Sequence, residues 1–170
     1  ALVSGIAGGA DVILIPEIRW SIDCVARHIE HVRRQGRNFA LVVVAEALRT
    51  ESGDKVLQSA PGEGQRYGGI GHYVGDQIAR TTGAEVRVTV LGHVQRGGTP
   101  DARDRLVASA FGVHAVDLVA AGRFDRMVAW RARQVIDVPI EEAIGQPHLV
   151  DPEGPVARTA RGLGICLGDR

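Results

Sequence analysis

The chain has 170 residues, enough for one domain with a real core or for part of a larger protein. It is 45% hydrophobic and 24% charged, so it is globular in type, and 20 Lys+Arg against 20 Asp+Glu leave no net drive toward nucleic acid or membrane. No apolar run reaches the roughly 20 residues of a membrane helix, no basic leader opens the chain, and Cys24 and Cys166 make no metal-ligand spacing, so a cytoplasmic protein with free thiols is expected.

Ala1–Ala7 is apolar and uncapped, which reads as the back half of a helix and hence as a fragment; an excised initiator methionine would also leave Ala1 but would not explain the missing cap. Gly8 and Gly9 close that helix. Asp11–Ile15 is an unbroken branched run stopped by Pro16, the pattern of a parallel strand covered on both faces. Ser21 caps a helix whose apolar positions Ile22, Val25, Ala26, Ile29 and Val32 recur at helical spacing, and Gly36 ends it. Phe39–Ala45 predicts the next buried strand.

From Arg49 to Gly69 the chain is polar and glycine-rich and predicts a surface loop with room for a short helix; Tyr67–Gly71 could cradle a phosphate but reads better as a plain flexible turn. Ile70–Thr82 is helical in pattern. A buried strand beginning at Val86 ends in the turn His93–Gly98, after which Thr99 as cap and Pro100 in the first turn open a helix running to Gly122. The apolar stripe of that helix is wide, which predicts burial. Met127–Trp130 and Gln134–Val138 are strand-like, Pro139 opens an acidic turn at Glu141 and Glu142, and Val156–Arg161 predicts a last helix in a tail that starts at Gly145. Strands alternating with helices argue for a parallel α/β sheet.

The chemistry gathers where strands stop. Glu46 follows one strand, and His93 and Arg96 follow another, so two adjacent parallel strands would set all three around one crevice. A carboxylate accepts bonds from sugar hydroxyls, while His and Arg answer a phosphate, although strand-end charges are also often just solvated. Arg87 lies at the opposite end of its strand, outside that crevice, as a solvated charge or a contact to another subunit. His28 and His31 are three apart without a third ligand, a poor metal site. One Arg96-Gly97-Gly98 unit on a neutral chain is a poor case for RNA binding.

AGGADVILIPE at Ala7–Glu17, the strand leading to Glu46, and VTVLGHVQRGGTPDARDRLVASAFG at Val88–Gly112 together resemble the carboxyl half of a 6-phosphofructokinase, from Ala1 to about Ile144. The resemblance implies part of a three-layer parallel-sheet α/β fold. Residues 1–95 would form most of the fructose 6-phosphate domain, 96–144 would return to the nucleotide domain, and 145–170 would pack back on the substrate domain. It implies that Glu46 bonds the sugar, that His93 and Arg96 hold its phosphate, and that Arg87 reaches the substrate phosphate of a neighbouring subunit in a homodimer or homotetramer. The reaction implied is phosphoryl transfer, with magnesium, from ATP or pyrophosphate to the 1-hydroxyl of fructose 6-phosphate. The glycine-rich phosphate loop and the catalytic aspartate of the family belong upstream of Ala1, so no catalytic or metal-binding residue is expected in this chain and the fragment alone should be inactive. Asp11 and Arg37 match a nucleotide-effector site that has lost most of its cations. The alternative from another class is a non-catalytic sugar-phosphate-binding domain of the same fold.

Overall fold

Val12–Leu14 (β1) is a run of branched side chains with no exposed surface, and the fold of the first part of the chain is built on it. In this computed structural model, residues 1–60, 63–67, 69–145 and 148–170 are described, with the side chains of 57–60 and 63–67 excepted. β1 pairs in parallel with Val42–Val44 (β2) in the register Val12↔Val42 to Leu14↔Val44. On its other edge β1 bridges in parallel to Cys166, with Ile13 N–H donating to Cys166 O and Cys166 N–H donating to Asp11 O, each at 2.9 Å.

Successive residues of a strand face opposite ways, and β1 uses both directions. Val12 and Leu14 pack with Val25 and Ile29 of Ile22–Arg34 (α2) and with Ile70, Val74 and Ile78 of Ile70–Thr82 (α3). Ile13 and Ile15 pack with Leu2 of Leu2–Ala7 (α1) and with Ala157 and Ala160 of Pro155–Gly162 (α6). Full burial of each such aliphatic side chain stabilises by about 1.5–3 kcal/mol. α2 begins where expected: Ser21 Oγ accepts the Cys24 N–H at 3.2 Å, a cap worth about 1 kcal/mol.

Several expectations fail, each for a physical reason. The loop predicted from Arg49 to Gly69 contains an antiparallel hairpin, Leu57–Ala60 (β3) with Glu63–Tyr67 (β4), whose polar strands give no period-2 apolar signal; residues 61, 62 and 68 of that stretch lie outside the described residues, as do 146 and 147 of the tail. β2 is half-buried rather than covered, and Phe39 ahead of it is exposed. The strand expected from Val86 is not formed. The residues alternate between half-buried (Ala84, Val86, Val88) and exposed (Glu85, Arg87, Thr89), as a strand's would, yet among the described residues no backbone partner runs beside them.

Leu91–His148 forms a second compact unit, distinct from Ala1–Val90 with Leu149–Arg170. It opens with a 3-10 turn at Gly92–Arg96 and continues through Ala102–Ala120 (α4), Arg126–Arg131 (β5), Gln134–Pro139 (β6) and Ile140–Ile144 (α5). The cap of α4 is Asp101, not Thr99, because Asp101 and Asp104 satisfy each other's backbone N–H in a reciprocal capping box that threonine at 99 cannot make. Nor is α4 well buried. Leu118 is its buried residue, while Leu106, Val113 and Val116 are exposed, since nothing in the described part of this unit covers them.

β5 and β6 form an antiparallel hairpin closed by Ala132 and Arg133, with φ of 48° and 66°. Two positive φ values in a two-residue loop are those of a type I′ turn, which asparagine and glycine fill without strain. Ala132→Asn combined with Arg133→Gly should therefore raise stability by about 1–2 kcal/mol in chemical denaturation; an unchanged midpoint would show that the turn carries no strain.

Asp137 on β6 ties the hairpin to α4. It accepts from Arg123 at 2.6 Å, from Arg126, and contacts His114 Nε2 at 3.3 Å. Burial works against its charge, but the hydrogen bonds from Arg126 and His114 and the charges of Arg123 and Arg126 outweigh it and hold the carboxyl below the ordinary 3.8. A depressed carboxyl binds fewer protons folded than unfolded, so its contribution is complete above about pH 4 and disappears as pH falls through the folded value. Thermal unfolding followed against pH should show this loss in the parent and not in Asp137→Asn; parallel profiles would refute the assignment.

Candidate ligand-binding site

Two residues past β2, Glu46 stands exposed in the first unit. His93 and Arg96 are exposed in the second, three positions apart on the 3-10 turn, where side chains at i and i+3 eclipse and so rise together. Gly97 and Gly98 follow, and Gly98 has φ +114°, a value that side chains rarely tolerate. Among the described residues, the side chains of Glu46, His93 and Arg96 make no hydrogen bond or ion pair. The first unit thus leaves a carboxylate to water, and the second an imidazole and a guanidinium, a pair of groups that can donate to an anion.

Arg87 is also exposed, and its face is set by register. Val86 and Val88 turn inward onto α3, where Gly75 admits them: a Cβ on Gly75 would stand 2.9 Å from Val88 Cγ2 and 3.2 Å from Val86 Cγ1. Residue 87 must then point outward, and so must residue 85. Glu85 Oε1 accepts both Arg87 Nε, at 3.1 Å, and Arg87 Nη2, at 3.0 Å. Sequence reasoning passed over Glu85, although the period-2 pattern places it beside Arg87.

Asp11 and Arg37, 26 positions apart, do meet. Arg37 Nη1 donates to Asp11 Oδ1, Leu41 N–H donates to Oδ2 at 2.8 Å, and the guanidinium lies 4.8 Å from the centre of the Phe39 ring. Asp11 is 8% exposed, so an unpaired charge there would be costly, and the arginine meets that need from within the chain. His28 borders the same carboxylate. Burial pushes its imidazole below the ordinary value, nearby His31 adds to the effect, and Asp11 offsets part of it.

Among the described residues, no group of three or more His, Cys, Asp or Glu side chains stands together, so they do not fit a protein-held metal. Among the same residues, no helix is long and apolar enough to cross a membrane.

Helices on both faces of a parallel strand pair define an α/β protein. Residues 1–119 match the family model described as Phosphofructokinase, and the chain belongs to that family. It is 59% identical over 169 residues to the ATP-dependent 6-phosphofructokinase 1 of Synechocystis sp., covering 99% of this chain and 47% of that protein. Similar figures, 59% over 170 residues, 99% and 47%, hold for the ATP-dependent 6-phosphofructokinase 1 of Nostoc sp.. The ATP-dependent 6-phosphofructokinase of Thermosynechococcus vestitus is 51% identical over 174 residues, covering 100% of this chain and 45% of that protein. The chain spans about half the length of the curated relatives it matches.

Proposed function

We propose that this chain is the carboxyl-terminal half of a 6-phosphofructokinase that transfers the γ-phosphoryl group of ATP to the 1-hydroxyl of fructose 6-phosphate. The observation that carries the reading is 59% identity, across 99% of the chain, to a protein named as that enzyme. The donor is ATP rather than pyrophosphate because the relatives are named ATP-dependent. The finer architecture is a three-layer α/β fold, with 1–95 in the substrate domain, 96–144 in the nucleotide domain and 145–170 packed back on the substrate domain. Helices on both faces of β1 and β2 support it.

In this reading, Glu46 accepts a hydrogen bond from a sugar hydroxyl, and His93 and Arg96 hold the 6-phosphate, the arginine by its planar fork of donors. Arg87 reaches the substrate phosphate held by a neighbouring copy, which makes the enzyme a homo-oligomer, and its place in this reading is the cytoplasm. Magnesium enters with ATP and is held by residues outside this chain, where the catalytic aspartate also belongs. Asp11 and Arg37 are the remains of an effector site, filled by their own ion pair, so a nucleoside diphosphate finds the carboxylate already neutralised.

The test is turnover of the full-length protein with fructose 6-phosphate and magnesium, supplied with ATP or with pyrophosphate, each with and without ADP. Turnover with ATP alone, and a KM for the sugar phosphate that ADP does not move beyond its competition with ATP, are expected. Sugar-phosphate binding without turnover from either donor would replace the enzyme by a non-catalytic binding domain.

A further inference from the structure

We infer that Glu85 is a positioning residue for Arg87, holding its guanidinium by one edge so that the other edge is presented to an anion. The inference rests on the reading of Arg87 as a ligand to a neighbouring copy's sugar phosphate. An arginine has five N–H donors in a fixed plane. Glu85 Oε1 takes the Nε–H and one Nη2–H, at 3.1 and 3.0 Å, which is the side edge of the plane. Among the described residues Nη1 has no partner, so three donors stay open, two of them at the end of the fork.

The two residues are together because the chain between them is extended. Ala84, Val86 and Val88 are turned toward the protein, and Gly71 and Gly75 of α3 leave room for the valine methyls, which keeps residues 85 and 87 side by side on the outer face. With side chains 78% and 89% exposed, the pair adds little to stability, as exposed ion pairs generally do. Its consequence is geometric. A long side chain alone in water samples many rotamers, and each must be given up when a phosphate binds. A carboxylate on the side edge removes part of that loss beforehand, at the cost of a negative charge near an anion site. The forked contact, which fixes the guanidinium plane while leaving its end open, favours the first effect over the second.

The experiment uses the full-length protein, with saturating ATP and varied fructose 6-phosphate. Glu85→Ala should raise KM about threefold with kcat unchanged, the size expected from an exposed pair. Glu85→Gln should stay close to the parent, because its amide oxygen still accepts from Nε and Nη2. Arg87→Ala should raise KM further, and adding Glu85→Ala to it should change nothing more. A KM at or below the parent's in Glu85→Ala overturns the inference, as does a full additional effect on top of Arg87→Ala. Glu85→Gln behaving like Glu85→Ala also overturns it, since charge and not held geometry would then be acting. If Arg87→Ala itself leaves KM unchanged, Arg87 is not a phosphate ligand and the reading beneath the inference fails instead.

Discussion

Gly168→Ala should destabilise the first unit by about 2–5 kcal/mol, since it combines a strained backbone conformation with overlap. Two costs combine. Gly168 has φ +87°, which a side chain adopts only at about 1–2 kcal/mol, and an added Cβ would lie 2.5 Å from Trp20 Cβ and 2.8 Å from Leu14 Cδ2. Neither neighbour can yield. Leu14 has no exposed surface, Trp20 is buried with its Nε1–H donated to Arg49 O at 2.9 Å, and Gly168 O itself accepts the Ser21 N–H that leads into α2. Gly36→Ala is the internal control, since φ is +88° there but an added Cβ meets nothing within 4 Å. Urea unfolding of the two variants should separate the cost of backbone conformation from the cost of overlap. Equal losses would mean that the tight contact around Gly168 relaxes freely.

Arg96→Ala in the full-length protein should weaken fructose 6-phosphate by roughly 1.5–3 kcal/mol, or about 10- to 150-fold in KM. The residue stands on an exposed 3-10 turn, makes no ion pair among the described residues, and has no structural work to lose, so the variant should fold as the parent does. Arg96→Lys should recover only part of the affinity, because an ammonium is a point charge and cannot present two parallel donors. An unchanged KM in Arg96→Ala would remove the residue from the substrate site, whatever the protein's activity.

What could be read from the sequence follows from which forces are local. β1, α2 and α3 were legible because an unbroken branched run, a serine cap and a 3.6-residue apolar period are written in consecutive residues. Asp101 was misread in favour of Thr99 because both can cap, and the deciding partner, Asp104, lies three residues further on. Val86–Val90 carries a strand's alternation without a strand's hydrogen bonds, since pairing needs a second backbone that no pattern in these residues can reveal. The apolar stripe of α4 is local and legible, whereas whether another element covers it depends on residues distant in sequence. Glu46, His93 and Arg96 stand out in the sequence as polar groups placed just after apolar runs, and all three are exposed in the structure. The ion pair between Asp11 and Arg37 was not legible: the family resemblance assigns both to one effector site, but only the fold shows the arginine bonded to the carboxylate.

The bridge between Val12 and Cys166 also has a consequence for the order of events during synthesis. The central strand of the first unit is among the earliest parts of this chain to leave the ribosome, yet one of its edges and the layer containing Ala157, Ala160 and Leu167 come from the other end. Until residues 165–167 have emerged, Ile13 and Ile15 lack much of their cover, and the nascent segment must wait with an apolar face open to chaperones or to aggregation. The 91–148 unit, whose contacts are nearer in sequence, is free to form during that wait.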